Sequence, residues 1–420
     1  MSAAAFAAKF RGGSAKIATK VAVLGAATGT AAALALGPTA PTAVADEPAP
    51  TVPGITLQDL RVPSSVDGKE QPVIVGVPDK YDPAQPTPLL VGVHTWSAIY
   101  TLYAKPLGTA CAERNWLLVL PHFRGPNAAG NPAAREAGGS LLAQHDIVDA
   151  VRYMQGKYNV DPRRIYAMGA SGGGHMALLM AGKYPDLWAG VSCWCPITDL
   201  REWYEQPANG YAPHIEAVTG GKPGASPEVD FEYLRRSPRT FISNAANTNV
   251  FIGHGDKDSL ILNGQTWKTY EVLRPLQHRV EFYSWSGGHQ MLNSRALDWL
   301  AAQARPVAPP LQQHLVSDEG KWYFWAYLEP DAPLTLAQCD AIVSPATAAA
   351  PNRPAAPARC QLTVAHARVV RLKLRELGLG EISSVTCDGQ PLAASAYTVA
   401  DGTFELRPAA PRRTSYVLTF

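Results

Sequence analysis

The sequence predicts an α/β fold, a mostly parallel sheet with helices on both faces, followed by a small all-β, sandwich-like domain. Three observations predict it. Short apolar segments alternate with helix-like ones from about residue 55 to residue 305. Several of those segments are apolar continuously rather than at every second residue, as strands buried on both faces are. Beyond "RPVAPP" at 305–310 the texture changes to short strand-like pieces separated by Pro, Gly and Asp.

The candidate strands are 72–77, 89–94, 116–120, 164–168, 189–194, 250–254 and 280–285. Helix-like segments lie between most of them, at 99–114, 140–158, 172–183, 264–273 and 290–304. Strand–helix alternation of this kind builds a parallel sheet. One gap is longer. Residues 199–249 separate two candidate strands and hold Trp203, Tyr204, Tyr211 and His214. An excursion of that length in a compact domain reads as a lid or pocket wall. In the C-terminal part, "WYFWAY" (322–327) reads as one strand, with Trp322 and Phe324 on one face and Tyr323, Trp325 and Tyr327 on the other.

The chain has 420 residues and a formal net charge of +2. Residues 1–45 read as a secretory signal peptide: a basic start (Lys9, Arg11, Lys16, Lys20), an apolar run, then Ala43-Val44-Ala45 as a cleavage site. Removing those four cations from +2 leaves about −2. A near-neutral protein without a basic patch is not expected to bind nucleic acid. No stable membrane insertion is expected after cleavage, and the destination is secreted or periplasmic. A Pro-rich tether (46–54) leads to the α/β domain (55–305), a linker (306–311) and the β domain (312–420). Of the six cysteines, Cys193 and Cys195 fall on one face of a strand, and Cys339 and Cys360 could close the Ala/Pro-rich loop between them. No Cys/His spacing resembles a zinc site, and no cofactor is expected.

The chemistry turns on "YAMGASGGGHMALLMAG" (166–182). Gly172, Gly174 and Ala177 match G-x-G-x-x-A, but a dinucleotide loop follows the first strand of its unit and has an acid at the tip of the next. Here several strands come first, and the next ends at Cys195-Pro196. Gly169-Ala170-Ser171-Gly172-Gly173 fits G-x-S-x-G, in which a serine sits on a strained strand-to-helix turn and its neighbours must be small. Such a serine needs a base, and the base an orienting acid. In this fold the order is Ser, then Asp or Glu, then His. "GDKDS" follows the sixth candidate strand and offers Asp256 and Asp258. "SGGHQM" follows the last and offers His289. His122, Trp203, Tyr204 and His214 are candidate pocket residues.

Together "GASGGGHMALLMAG", "FIGHGDKDSLI" and "WSGGHQM" resemble the catalytic domain of the prolyl-oligopeptidase-like serine hydrolases, within the α/β-hydrolase superfamily. The likeness covers roughly 73–304. It implies Ser171 as nucleophile, His289 as base and, from the pattern His-Gly-x-x-Asp, Asp258 as acid with Asp256 as fallback. It also implies an oxyanion hole from the N–H groups of Gly172 and Trp96, although relatives often read His-Gly-x where this chain reads His94-Thr95-Trp96. The propeller of full prolyl oligopeptidases has no room here. The expectation is therefore an ester- or amide-cleaving enzyme without a propeller, acting on an ester- or peptide-bearing and possibly polymeric substrate, with esters ahead of short peptides. The remoter alternatives are an inactive fold used for binding and a carbohydrate-binding role for the β domain.

Overall fold

The computed structural model describes residues 34–35 and 49–420, apart from Ser97, 208–209, 277–278 and 351–353. The expected signal peptide and the start of the tether lie outside these residues, except for Leu34–Ala35, a strand paired with Gln290–Met291. Among the described residues no helix is long and apolar enough to cross a membrane.

The α/β part is built on one sheet of eight strands: β1 (Ile55–Pro63), β2 (Glu70–Pro78), β3 (Thr87–Val93), β4 (Leu117–Pro121), β5 (Val160–Ala170), β6 (Gly190–Trp194), β7 (Asn249–Gly255) and β8 (Val280–Trp285). Their order across the sheet is β1-β2-β4-β3-β5-β6-β7-β8. β1, β2 and β4 pair antiparallel, and every pair from β4 to β8 is parallel. This is the α/β-hydrolase fold. β3, β4, β6 and β7 are buried at every residue, which is why they read as unbroken apolar runs.

The helices are α1 (Ala104–Arg114), α2 (Leu141–Lys157), α3 (Gly172–Lys183), four short helices α4 to α7 (Leu200–Tyr204, Ala212–Thr219, Pro227–Arg235, Pro238–Phe241), α8 (Asn263–Leu273) and α9 (Asn293–Ala301). α2, α3 and α8 pack one face of the sheet through residues such as Ile147, Leu178 and Leu273. α1 and α9 cover the other through Leu107, Cys111, Leu297 and Leu300. Each such fully buried aliphatic side chain contributes roughly 1.5–3 kcal/mol. The excursion 199–249 is not a bare loop. It folds as α4 to α7 around its own core of Leu200, Trp203, Ile215, Val218 and Tyr233, onto which Trp96 also packs.

The C-terminal part is two antiparallel sheets, of six and five strands, closed over a core that includes Leu315, Tyr323, Trp325, Leu362 and Leu418. "WYFWAY" is not one strand. Lys321–Tyr323 and Ala326–Pro330 form a hairpin with Trp322 opposite Tyr327, and Phe324 and Trp325 make the turn. Phe324 takes the left-handed φ of 52° that a two-residue turn demands, so simple alternation fails there. Tyr323 and Trp325 are both buried. The Cys339–Cys360 bridge is also absent. Both thiols are free, because register puts Cys339 opposite Val364 and Cys360 opposite Val343.

Candidate active site

In a parallel sheet the carboxyl ends of the strands share one edge, and loops there collect the reactive side chains. Trp96 follows β3, Ser171 follows β5, Asp258 follows β7 and His289 follows β8. Ser171 stands between β5 and α3 with φ 57° and ψ −121°, a conformation that costs a non-glycine residue energy and that a functional turn retains. Its N–H donates to the Trp194 carbonyl at 2.8 Å, and its own carbonyl accepts from the His175 N–H at 2.8 Å. The surrounding glycines are required by contact. A Cβ on Gly169 would strike the Gly173 backbone, one on Gly173 the Val93 carbonyl, and one on Gly172 the backbone of Trp96. Hence the backbones of Gly172 and Trp96, the two residues named for the oxyanion hole, lie directly against each other at the start of α3.

The two side chains expected as acid and base meet. His289 Nδ1 lies 2.7 Å from Asp258 Oδ2. Oδ1 of the same carboxylate accepts the N–H groups of Leu260 at 2.9 Å and Ile261 at 3.1 Å. His254 Nε2 stands 3.2 Å from Oδ2, while its Nδ1 faces Thr266 Oγ1 at 2.8 Å. Burial pushes the Asp258 carboxyl up, but hydrogen bonds to His254 and His289, the His289 charge and the Ile261 N–H outweigh it and hold the group well below the usual carboxylate range. An ionised Asp258 only accepts, so the network assigns the proton between them to His289 Nδ1 and leaves Nε2 with a lone pair. Asp256, by contrast, accepts from the Gly287 N–H at 3.1 Å on the exposed side and makes no such contact with His289.

The other candidates are placed as follows. Trp203 is buried, stacks edge-on against Trp96 at 5.2 Å and donates from its indole to the Leu260 carbonyl at 3.1 Å, which ties the excursion to the acid's loop. Tyr204 is half-buried and its hydroxyl donates to Glu216 at 2.7 Å. His214 Nδ1 accepts the Ala129 N–H at 2.8 Å beside Tyr211, with burial lowering the ring's pKa. His122 lies against the rings of His94 and Tyr100, where burial drives its pKa down to about 3.

Two neighbours of Asp258 are not marked as such by the sequence. His254 was legible only as the first letter of His-Gly-x-x-Asp. Cys195 gave no signal, because it reaches Asp258 only through folding. Its thiol is pushed up to about 12 by burial first and then by the Asp258 charge.

Residues 108–304 match the prolyl oligopeptidase family and contain Ser171, Asp258 and His289. Feruloyl esterase B of Thermothelomyces thermophilus is 26% identical over 192 residues, which is 44% of this chain and 63% of that protein. Feruloyl esterase B of Neurospora crassa is 28% identical over 125 residues, 30% of this chain and 40% of that protein. The match to this chain thus spans less than two thirds of either relative's length. Among solved structures, a putative dipeptidyl aminopeptidase IV from Bacteroides ovatus superposes with a TM-score of 0.49 at 18% identity, over 59% of this chain and 34% of that one. The match to the prolyl oligopeptidase family thus falls within the α/β part of the chain.

Proposed function

We propose that the chain is a secreted hydrolase of carboxylic esters that works through Ser171, His289 and Asp258. The observation that carries this reading is the 2.7 Å contact between His289 Nδ1 and Asp258 Oδ2, at the edge of the sheet where Ser171 stands on its strained turn. His289 Nε2 takes the Ser171 proton as Oγ attacks the ester carbonyl carbon. The carbonyl oxygen becomes an oxyanion, held by the N–H groups of Gly172 and Trp96 and favoured by the positive end of α3. Collapse expels the alcohol, which receives the proton from His289. Water then gives its proton to Nε2, attacks the acyl group and releases the acid. Asp258 keeps the ring in one orientation and stabilises it when charged.

Feruloyl esterases among the relatives favour the ester, and the family match keeps a second reading, a serine peptidase on short peptides, in play. Turnover of aryl esters of acetate and ferulate, set against aminoacyl and X-Pro anilides, separates the two. Ester turnover that disappears in Ser171→Ala while the anilides stay intact is the expected outcome. Anilide cleavage of similar efficiency would replace the ester reading with the peptidase.

A further inference from the structure

Behind His289 three segments far apart in the chain converge. Cys195 follows β6, Asp258 follows β7 and His289 follows β8. A thiol sulfur, a carboxylate oxygen and an imidazole nitrogen, one from each, lie within 4.8 Å of one another. Cys195 is fully buried, yet it holds a left-handed φ of 43°, fixed by its N–H to the Gly253 carbonyl at 2.7 Å. Its sulfur is 3.6 Å from the carbonyl of Gln290, the residue after His289. Positive φ is unfavourable for cysteine and unnecessary for a residue that only fills space. Here it accompanies a thiol placed against the acid–base pair.

We propose that Cys195, Asp258 and His289 Nδ1 form an inhibitory site for a thiophilic divalent cation, Zn²⁺ or Cd²⁺. The inference rests on the triad reading above for its effect on turnover. Sulfur, nitrogen and oxygen bind zinc at roughly 2.0–2.3 Å, so ligand atoms on one tetrahedral ion stand about 3–4 Å apart. The cluster is already close to that size, and the ion takes the place of the proton between His289 and Asp258. The mixed set suits a borderline-soft ion better than Mg²⁺ or Ca²⁺. The His289 side chain, 7% exposed, is the way in, and water supplies the fourth ligand.

The proton count explains the inhibition. Cys195 loses its thiol proton to solvent as sulfur binds. The imidazole keeps its single proton but moves it from Nδ1 to Nε2, because the ion now occupies the Nδ1 lone pair. An Nε2–H cannot accept the Ser171 proton, so the nucleophile is silenced without being touched.

Cadmium titration of the full chain tests this. A thiolate-to-cadmium charge-transfer band should grow to one equivalent, ester turnover should fall in step, and EDTA should restore it. Cys195→Ala should lose the band and need at least about ten-fold more Cd²⁺ for half-inhibition. Cys387→Ala, at a half-buried thiol in the β domain, should match the parent. Ser171→Ala should keep the band, so failure of the site and failure of the triad are read separately. Absence of the band from the parent protein, or a band and inhibition that persist in Cys195→Ala, overturns the proposal. Should Cys195→Ala not fold, the parent's band and its one-equivalent endpoint still decide.

Discussion

Asp258 and Asp256 stand two residues apart on one loop, and the surroundings of each carboxylate separate them. Asp258 is buried with donors on both oxygens, whereas Asp256 faces outward to Gly287. Asp258→Asn removes the acceptor that holds the His289 tautomer and should lower kcat by about 10³–10⁴. Asp256→Asn should stay within about two-fold, since a surface substitution leaves the pair intact. Steady-state turnover of one aryl ester by both variants checks this. An equal loss in the two would mean that the loop, and not the 2.7 Å contact, is what matters. Gly172→Ala should cost both folding yield and labelling by a fluorophosphonate, because its methyl group would collide with the Trp96 backbone. Ser171, Asp258 and His289 could be singled out as candidates in the sequence because each lies in a short motif at the tip of its own strand. Cys195 was not, because nothing local marks a residue whose partners lie 63 and 94 positions away.

Helix α3 links the Ser171 turn to the C-terminal part. Its first residue follows Ser171, and its last, Lys183, is fully buried in an ion pair with Asp318 of the C-terminal part. Arg235 bonds the other Asp318 oxygen at 2.9 Å, and the Lys183 ammonium also lies 4.3 Å from the Phe241 ring centroid. Burial drives the Lys183 pKa well below its ordinary value. Removing one partner of such a pair strands a buried charge, at a cost of about 3–5 kcal/mol. Asp318→Asn should therefore lower the urea midpoint sharply, whereas Lys183→Met with Asp318→Leu should recover most of the loss. If Asp318→Asn unfolds at the parental midpoint, the pair is not a brace. The limits of α3 were readable from residue 172 to residue 183, because a glycine-rich turn opens it and Tyr184-Pro185 closes it. β1 was harder. It is an edge strand whose apolar residues are interrupted by Gln58, Asp59 and Arg61. The hairpin inside "WYFWAY" was hidden for the opposite reason, since aromatic residues fill a turn that polar residues and glycine usually mark.

The α/β part and the C-terminal sheets are joined by polar contacts that each half lacks alone. The Asn244 side chain donates to the carbonyls of Gly182 and Val316 at 2.8 and 2.9 Å and accepts the Val316 N–H at 2.7 Å, completing a strand edge. Nearby, Lys321 lies 3.4 Å from Glu319 and 3.2 Å from the Tyr184 ring centroid. Burial pushes the Glu319 carboxyl up, but His145, Lys321 and Lys183 more than offset it and hold the group well below its ordinary value. A carboxylate lowered in the folded state binds fewer protons there than when unfolded. Its stabilisation is complete above the unfolded pKa of about 4.3 and is lost as pH falls below it. Glu319→Gln should thus lower Tm at pH 7 and flatten its decline between about pH 5 and pH 3. A Tm that falls as steeply with acid in the variant as in the parent would remove Glu319 from that account. The change of texture at "RPVAPP" is the sequence's expected boundary between the two parts, and it does not show this joint, because Gly182, Lys183 and Asn244 meet Val316 and Asp318 only through folding.

The measurement that bears most directly on the hydrolase reading is intact-mass analysis of the protein stopped during turnover of an aryl ester, with peptide mapping of the adduct. One acyl group per chain is expected, on the Ser171 peptide, and none on Ser171→Ala. Turnover with no adduct at Ser171, or an adduct that survives Ser171→Ala, would contradict it.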